Sequence, residues 1–199
     1  MAEVRTAELD PVQAALRVAI VTDTFVPKMD GVVRSILEYL RYLRRHGHAA
    51  VVFCPGDGPG EVEGFPVVRA GGVRFPLYPE LLLSARCPGM LPRMRAWRPD
   101  VVHLAGPALL GVQGLRVAHA IGVPAAGHFQ TNLATYAEHF GAPWLGPLVW
   151  RYLVGLHNRC ALNYAPTEAV AAELRRRGMR RVHVLGRGVD TRVFHPRFW

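Results

Sequence analysis

Between an apolar run ending at Thr22 and an amphipathic stretch opening at Gly31 lies the loop Asp23-Thr24-Phe25-Val26-Pro27-Lys28-Met29-Asp30. A glycine where a helix begins has no side chain to keep a phosphate from the backbone N–H groups and the positive helix end. Gly31 is therefore a candidate anion contact, although a tight turn would ask for the same residue. The loop carries neither GxGxxG nor GxxxxGK[ST], so dehydrogenase and P-loop ATPase chemistries lose their main support. Near the other end, Arg187 stands between Gly186 and Gly188. A cation flanked by glycines suits phosphate or sugar oxygens.

The remaining reactive residue types form no constellation. His103 stands at the end of a predicted strand, where a satisfied structural histidine is the plainer reading. His119, His128, His139 and His157 lack metal-ligand spacing, so no metal site is expected and none of them is given a role. Cys54, Cys87 and Cys160 are scattered without CxxC spacing. An odd, sparse set of this kind suits buried thiols in a reducing compartment.

The formal net charge is +9; residues 1–63 hold 7 basic and 9 acidic side chains, the rest 17 and 6. Such a surplus suits anionic partners: phosphates, acidic headgroups or nucleic acid. No helix-turn-helix, zinc or RNA-recognition signature is present, which removes nucleic acid as a partner. Arg175-Arg176-Arg177 with Arg180-Arg181 fits a solvated helix end that complements the dipole; a patch for peripheral contact with an anionic membrane is the alternative. No signal peptide or spanning stretch is expected, since Leu145–Leu156 is short and interrupted by Pro147 and Arg151. The expected location is the cytoplasm, with the inner face of the cell membrane open to peripheral contact.

These residues need elements to hold them. Residues 1–16 read as a flexible lead-in. Arg17–Thr22, Ala49–Phe53, Phe65–Arg69, Asp100–Leu104, Val123–His128, Cys160–Ala165 and Arg181–Leu185 read as short buried strands. Between them, helices are predicted over Gly31–Arg45, Pro88–Trp97, Ala108–Ile121, Gly146–Asn158 and Thr167–Arg177. In the first, Val33, Ile36, Leu37, Leu40 and Leu43 form one apolar stripe. Gly56 to Gly64 reads as a loop. Strand and helix in alternation predict an α/β fold, a Rossmann-like, doubly wound, mostly parallel sheet of six or seven strands. Ligands meet such sheets at the carboxyl ends of the strands.

The stretch DTFVPKMDGVVRSILEYLRYLRRHGHAAVVFCPG resembles the opening of family 4 retaining glycosyltransferases of the GT-B fold. Matches continue in order through Tyr78-Pro79-Glu80-Leu81, Pro99-Asp100-Val101-Val102-His103-Leu104, Gln130-Thr131-Asn132 leading to Tyr136, Ala165-Pro166-Thr167, and Gly186-Arg187-Gly188-Val189-Asp190-Thr191 with Phe194-His195-Pro196. The nearest look-alikes put mannose, glucose or sulfoquinovose on lipid acceptors. The resemblance implies one half of a GT-B architecture: an acceptor-side N-terminal domain over residues 17–191, then the start of an interdomain connection over 192–199, the C-terminal donor domain being absent. It implies transfer of a hexose from a nucleotide-sugar to a lipid-linked or other hydroxyl acceptor, with retention, by a protein inactive as this half alone. No cofactor or metal is implied; the nucleotide-sugar is a substrate.

Carried over residue by residue, the resemblance puts Asp30, Gly31, Arg187 and Gly188 at the donor diphosphate and cleft. His103, Gln130, Thr131 and Tyr136 would position acceptor or sugar. Relatives often have Asn where Asp30 stands, and many have His at Gln130, which can orient a ligand but cannot act as acid or base. Packing is the plain alternative for Tyr136, Trp144 and Trp150. No general base is identifiable. A reading from a different class also stands: a non-catalytic α/β module that binds a membrane surface or a partner chain.

Overall fold

A computed structural model of the 199-residue chain describes residues 14–75, 78–84, 86–106, 109–133 and 143–186. Among them lie strands β1 (Arg17–Thr22), β2 (Ala49–Pro55), β3 (Glu61–Val62), β4 (Phe65–Ala70), β5 (Val73–Phe75), β6 (Tyr78–Leu83), β7 (Val101–Ala105), β8 (Ala125–His128), β9 (Leu162–Ala165) and β10 (Val182–Val184). The helices are α1 (Gly31–Arg45), α2 (Met90–Trp97), α3 (Leu110–Ala120), α4 (Gly146–His157) and α5 (Glu168–Arg176).

The main sheet has the order β10-β9-β8-β7-β1-β2-β4-β3. All pairs are parallel except the two-residue edge strand β3 on β4. The chain therefore leaves β1 toward β2 and β4, then returns to build β7 to β10 on β1's other side. That reversal creates a crevice at the carboxyl edge between β1 and β7, where an α/β sheet binds ligands.

Alternate residues of the central strands enter different cores. Val18 and Ile20 pack with Val33, Ile36, Leu40 and Leu43 of α1. Ala19, Val21, Val102 and Leu104 pack with Met90 and Met94 of α2 and Leu115 of α3 on the opposite face. Burial on both faces is why β1 is apolar without alternation. A Cβ on Gly114 would sit 2.9 Å from side-chain atoms of Val21 and Leu104, so the glycine lets α3 lie against the sheet. A third core joins Phe129, Leu153, Ala165, Leu174 and Val182 beneath α4 and α5.

The α/β class and parallel order match the sequence expectation, with several strands starting one or two residues later than predicted. Two features depart from it. The predicted loop 56–64 holds β3, and β5 with β6 forms a separate antiparallel ribbon that the sequence pattern did not separate from loop. Glu61–Val62 and Val73–Phe75 carry too few residues for a periodicity. The three cysteines are free and buried. Burial raises the Cys54 thiol to about 12 and that of Cys160 to about 11.

Candidate functional site

The loop after β1 is tied at both ends by carboxylates. Asp23 Oδ1 accepts the backbone N–H groups of Leu109 (3.2 Å) and Leu110 (2.7 Å), capping α3 across the crevice. Thr22 Oγ1 donates to the carbonyl of Thr24 at 2.8 Å and holds the first turn. At the far end Asp30 is the N-cap of α1: Oδ1 accepts from Val33 N at 2.9 Å and Oδ2 from Thr24 Oγ1 at 3.0 Å. Lys28 Nζ stands 3.9 Å from the same Oδ2. Gly31 is the first helical residue and is exposed. The positive end of α1 is thus already served by the Asp30 carboxylate. A phosphate arriving at Gly31 would meet that negative charge, with Lys28 as its offset.

Beside this loop opens a cavity of about 600 Å3, bordered by Phe25, Lys28, Asp57, Arg69, Arg74 and Leu82, among others. Arg69 on β4 builds its wall. One guanidinium nitrogen donates to the Val26 carbonyl at 2.8 Å, another to the Pro59 carbonyl at 3.0 Å, and the group lies 5.8 Å from the centre of the Phe25 ring. Arg69 therefore joins the loop after β1 to the loop after β2. A second hollow of about 430 Å3, near Arg98, Pro99 and Val123, lies at the amino edge of the strands. Because parallel sheets take ligands at the carboxyl edge, the candidate site is the cavity beside Phe25.

His103 does not sit at a strand end. It occupies the middle of β7, two residues before Ala105, about 7 Å below the rim at roughly 3.3 Å per residue. Its ring lies 5.3 Å from that of Tyr39 on α1 and 5.7 Å from that of His128. Burial, with a smaller contribution from His128, lowers its pKa to about 3, so it is neutral at ordinary pH. Burial and the neighbouring Tyr164 and Tyr42 push Tyr39 up to about 12.

Gln130 stands at the rim just past β8, and its Nε2 is 3.3 Å from His128 Nδ1. His128 thus links Gln130 to His103, a connection that sequence reasoning missed by giving His128 no role. Thr131 follows on the same loop and is half-buried. Tyr136, Arg187 and Gly188 lie outside the described residues. Gly186 is reached from β10, whose end is fixed by Leu185 N donating to Ala165 O at 2.9 Å. Gly31 and Gly186 therefore belong to the same edge. Four strand spacings separate β1 from β10 in the sheet order, about 19 Å at roughly 4.8 Å each.

Asp23 and Arg69 were also missed, because no local signal marks a side chain whose partner lies tens of residues away. The arginine cluster is engaged locally. Arg175 meets Glu168 at 2.6 Å, while Arg176 and Arg177 each meet Glu173 at 2.5 Å. Arg177 also lies 4.0 Å over the Trp150 ring. Among the described residues no three His, Cys, Asp or Glu side chains gather as metal ligands would, and no helix is long and apolar enough to cross a membrane.

Residues 29–193 match Glycosyltransferase Family 4. A GDP-mannose-dependent alpha-mannosyltransferase of Mycobacterium tuberculosis is 38% identical over 187 residues, covering 91% of this chain and 50% of that protein. A sulfoquinovosyl transferase of Arabidopsis thaliana is 26% identical, covering 85% of this chain and 34% of its own. Among solved structures, Anabaena HepE in complex with UDP superposes with a TM-score of 0.64 at 19% identity, covering 90% of this chain and 46% of that one; the likeness is one of fold. The chain spans about half the length of the curated mannosyltransferases it matches. With the doubly wound sheet and its carboxyl-edge crevice, these likenesses establish that the chain belongs to glycosyltransferase family 4.

Proposed function

We propose that this chain is the acceptor-side half of a retaining hexosyltransferase, holding a lipid-linked or other hydroxyl acceptor against a nucleotide-sugar bound largely by a second domain. The observation that carries the reading is the cavity of about 600 Å3 beside the loop that follows β1, at the edge of the sheet where ligands bind. Relatives named for transfer of mannose, sulfoquinovose and glucose support the hexose class. The half-length match supports the need for a second domain, and so inactivity of this half alone.

In the reaction the bond between the sugar's anomeric carbon and the diphosphate oxygen breaks. The acceptor oxygen bonds to that carbon on the same face, and its proton passes to the departing nucleoside diphosphate, which leaves with the bonding electron pair. Lys28, Arg69 and Arg74 border the cavity, suited to an anionic group of either substrate. Gln130 does not titrate and His103 is neutral, so these two offer hydrogen bonding and shape rather than proton transfer. The contribution of this half is mainly positioning. A lipid-linked acceptor would keep the protein at the cytoplasmic face of a membrane.

The test is transfer from GDP-mannose or UDP-glucose to diacylglycerol-based acceptors by a protein of the relatives' full length, with NMR of the product. An α-linked product, and negligible transfer by the 199-residue chain, are expected. A β-linked product would overturn retention, and brisk transfer by the chain alone would overturn the second-domain requirement.

A further inference from the structure

The end of β8 places an imidazole and a carboxamide in contact. Gln130 Nε2 lies 3.3 Å from His128 Nδ1, while Gln130 Oε1 is buried and has no hydrogen-bond partner among the described residues. The two ends of a carboxamide are not equivalent: the nitrogen only donates and the oxygen only accepts. An imidazole nitrogen accepts when bare and donates when protonated, so whichever state Nδ1 holds selects the end of the amide that faces it. A carboxamide held by its nitrogen requires Nδ1 to be bare, which puts the proton of a neutral imidazole on Nε2. The carbonyl is then left for a partner outside the pair, and a buried acceptor left without one is costly.

We propose that His128 is a positioning residue: its bare Nδ1 holds the Gln130 carboxamide by the nitrogen, so that Oε1 accepts a hydrogen bond from a hydroxyl of the sugar substrate. The sugar assignment rests on the transferase reading above; the His128–Gln130 coupling does not. Two rings from neighbouring strands lie close to His128. His103 from β7 is 5.7 Å away between ring centres and Tyr164 from β9 is 6.0 Å away, with Tyr39 of α1 beyond His103. Gln130→Glu replaces the donating nitrogen with an oxygen that only accepts, so Nδ1 must then supply the proton itself. Gln130→Leu removes both ends and leaves the tautomer unselected.

Imidazole 15N spectra of the chain at mildly alkaline pH read this without any ligand. The wild type is expected to show a bare, pyridine-type Nδ1 and a protonated, pyrrole-type Nε2. Gln130→Glu should move Nδ1 to the protonated type, and Gln130→Leu should give averaged shifts. A protonated Nδ1 in the wild type, or a wild-type pattern retained in both variants, would overturn the coupling. In the full-length transferase, Gln130→Lys, which only donates, should raise KM for the sugar substrate about tenfold against Gln130→Glu. Equal KM values would remove the acceptor role. Loss of the spectroscopic coupling would leave the transferase reading standing, and absence of any transfer would leave the spectra standing.

Discussion

The carboxylate of Asp23 lies 2.7 Å from the backbone nitrogen of Leu110, joining the end of the first strand to the start of a helix 87 residues further on. It spans the point where the strand order reverses, and so fixes the two walls of the crevice relative to each other. Removing a capping carboxylate costs about 1–2 kcal/mol. Asp23→Ala is expected to lower stability by roughly that amount in urea unfolding, and Asp23→Asn, which keeps an acceptor, to recover most of it. Equal losses in the two variants would show that the charge, not the cap, matters.

Arg69 makes a second such tie. Arg69→Met removes the donors that serve Val26 and Pro59, so both loops should loosen while the sheet stays folded. The expected result is faster amide exchange at residues 24–30 and 56–60, with a stability loss of about 1–3 kcal/mol. Exchange unchanged in both loops would contradict the tie.

Beneath the rim, Gly127 faces a buried pair. Asn163 Oδ1 is 2.7 Å from His157 Nδ1, and Asn163 Nδ2 donates to the carbonyls of His157 (3.0 Å) and Arg180 (2.9 Å). A Cβ on Gly127 would lie 2.7 Å from Asn163 Oδ1 and 2.9 Å from His157 Nδ1. Gly127→Ala should therefore destabilise by about 1–3 kcal/mol, as overpacking does. An unchanged thermal midpoint would contradict the packing.

Acid should weaken the fold through His103 and His157. Burial lowers the pKa of His103 to about 3 and lowers that of His157 against the opposing bond to Asn163. The unfolded chain then binds more protons than the folded one below pH about 6.5, so stability falls as pH drops from there toward about 3. Between pH about 6.5 and 5.5 the expected loss from His103 is on the order of 1 kcal/mol. His103→Gln should flatten part of the slope. An identical pH profile in that variant would remove His103 from the account.

How far the sequence carried the structure depended on the range of each interaction. The helix α1 was legible because Val33, Ile36, Leu40 and Leu43 repeat at helical spacing and are all buried. The central strands were legible because both their faces are covered. Gly31 was singled out by its position at the join of loop and helix, and Asp30 through the family resemblance. What Asp30 does was not legible: its two oxygens are engaged by Val33 and Thr24, and only coordinates reveal that. His103 was placed at a strand end because the predicted strand stopped at Leu104; pairing through Ala105 moved it to the interior. Asp23 and Arg69 were invisible for one reason. Their partners are set by sheet order, and sheet order is not written in local spacing.

Gly31 separates a turn requirement from a ligand requirement. Gly31→Val in the full-length transferase should lower turnover far more than stability, since the residue is the exposed start of a helix. Matching losses in turnover and stability would leave only the turn.

Calorimetric titration of GDP-mannose and UDP-glucose onto the chain itself tests the account most directly. If this fold supplies one wall of a cleft and a second domain holds the donor, binding should be very weak, on the order of millimolar or beyond. Submicromolar binding of either nucleotide-sugar to these residues alone would contradict it.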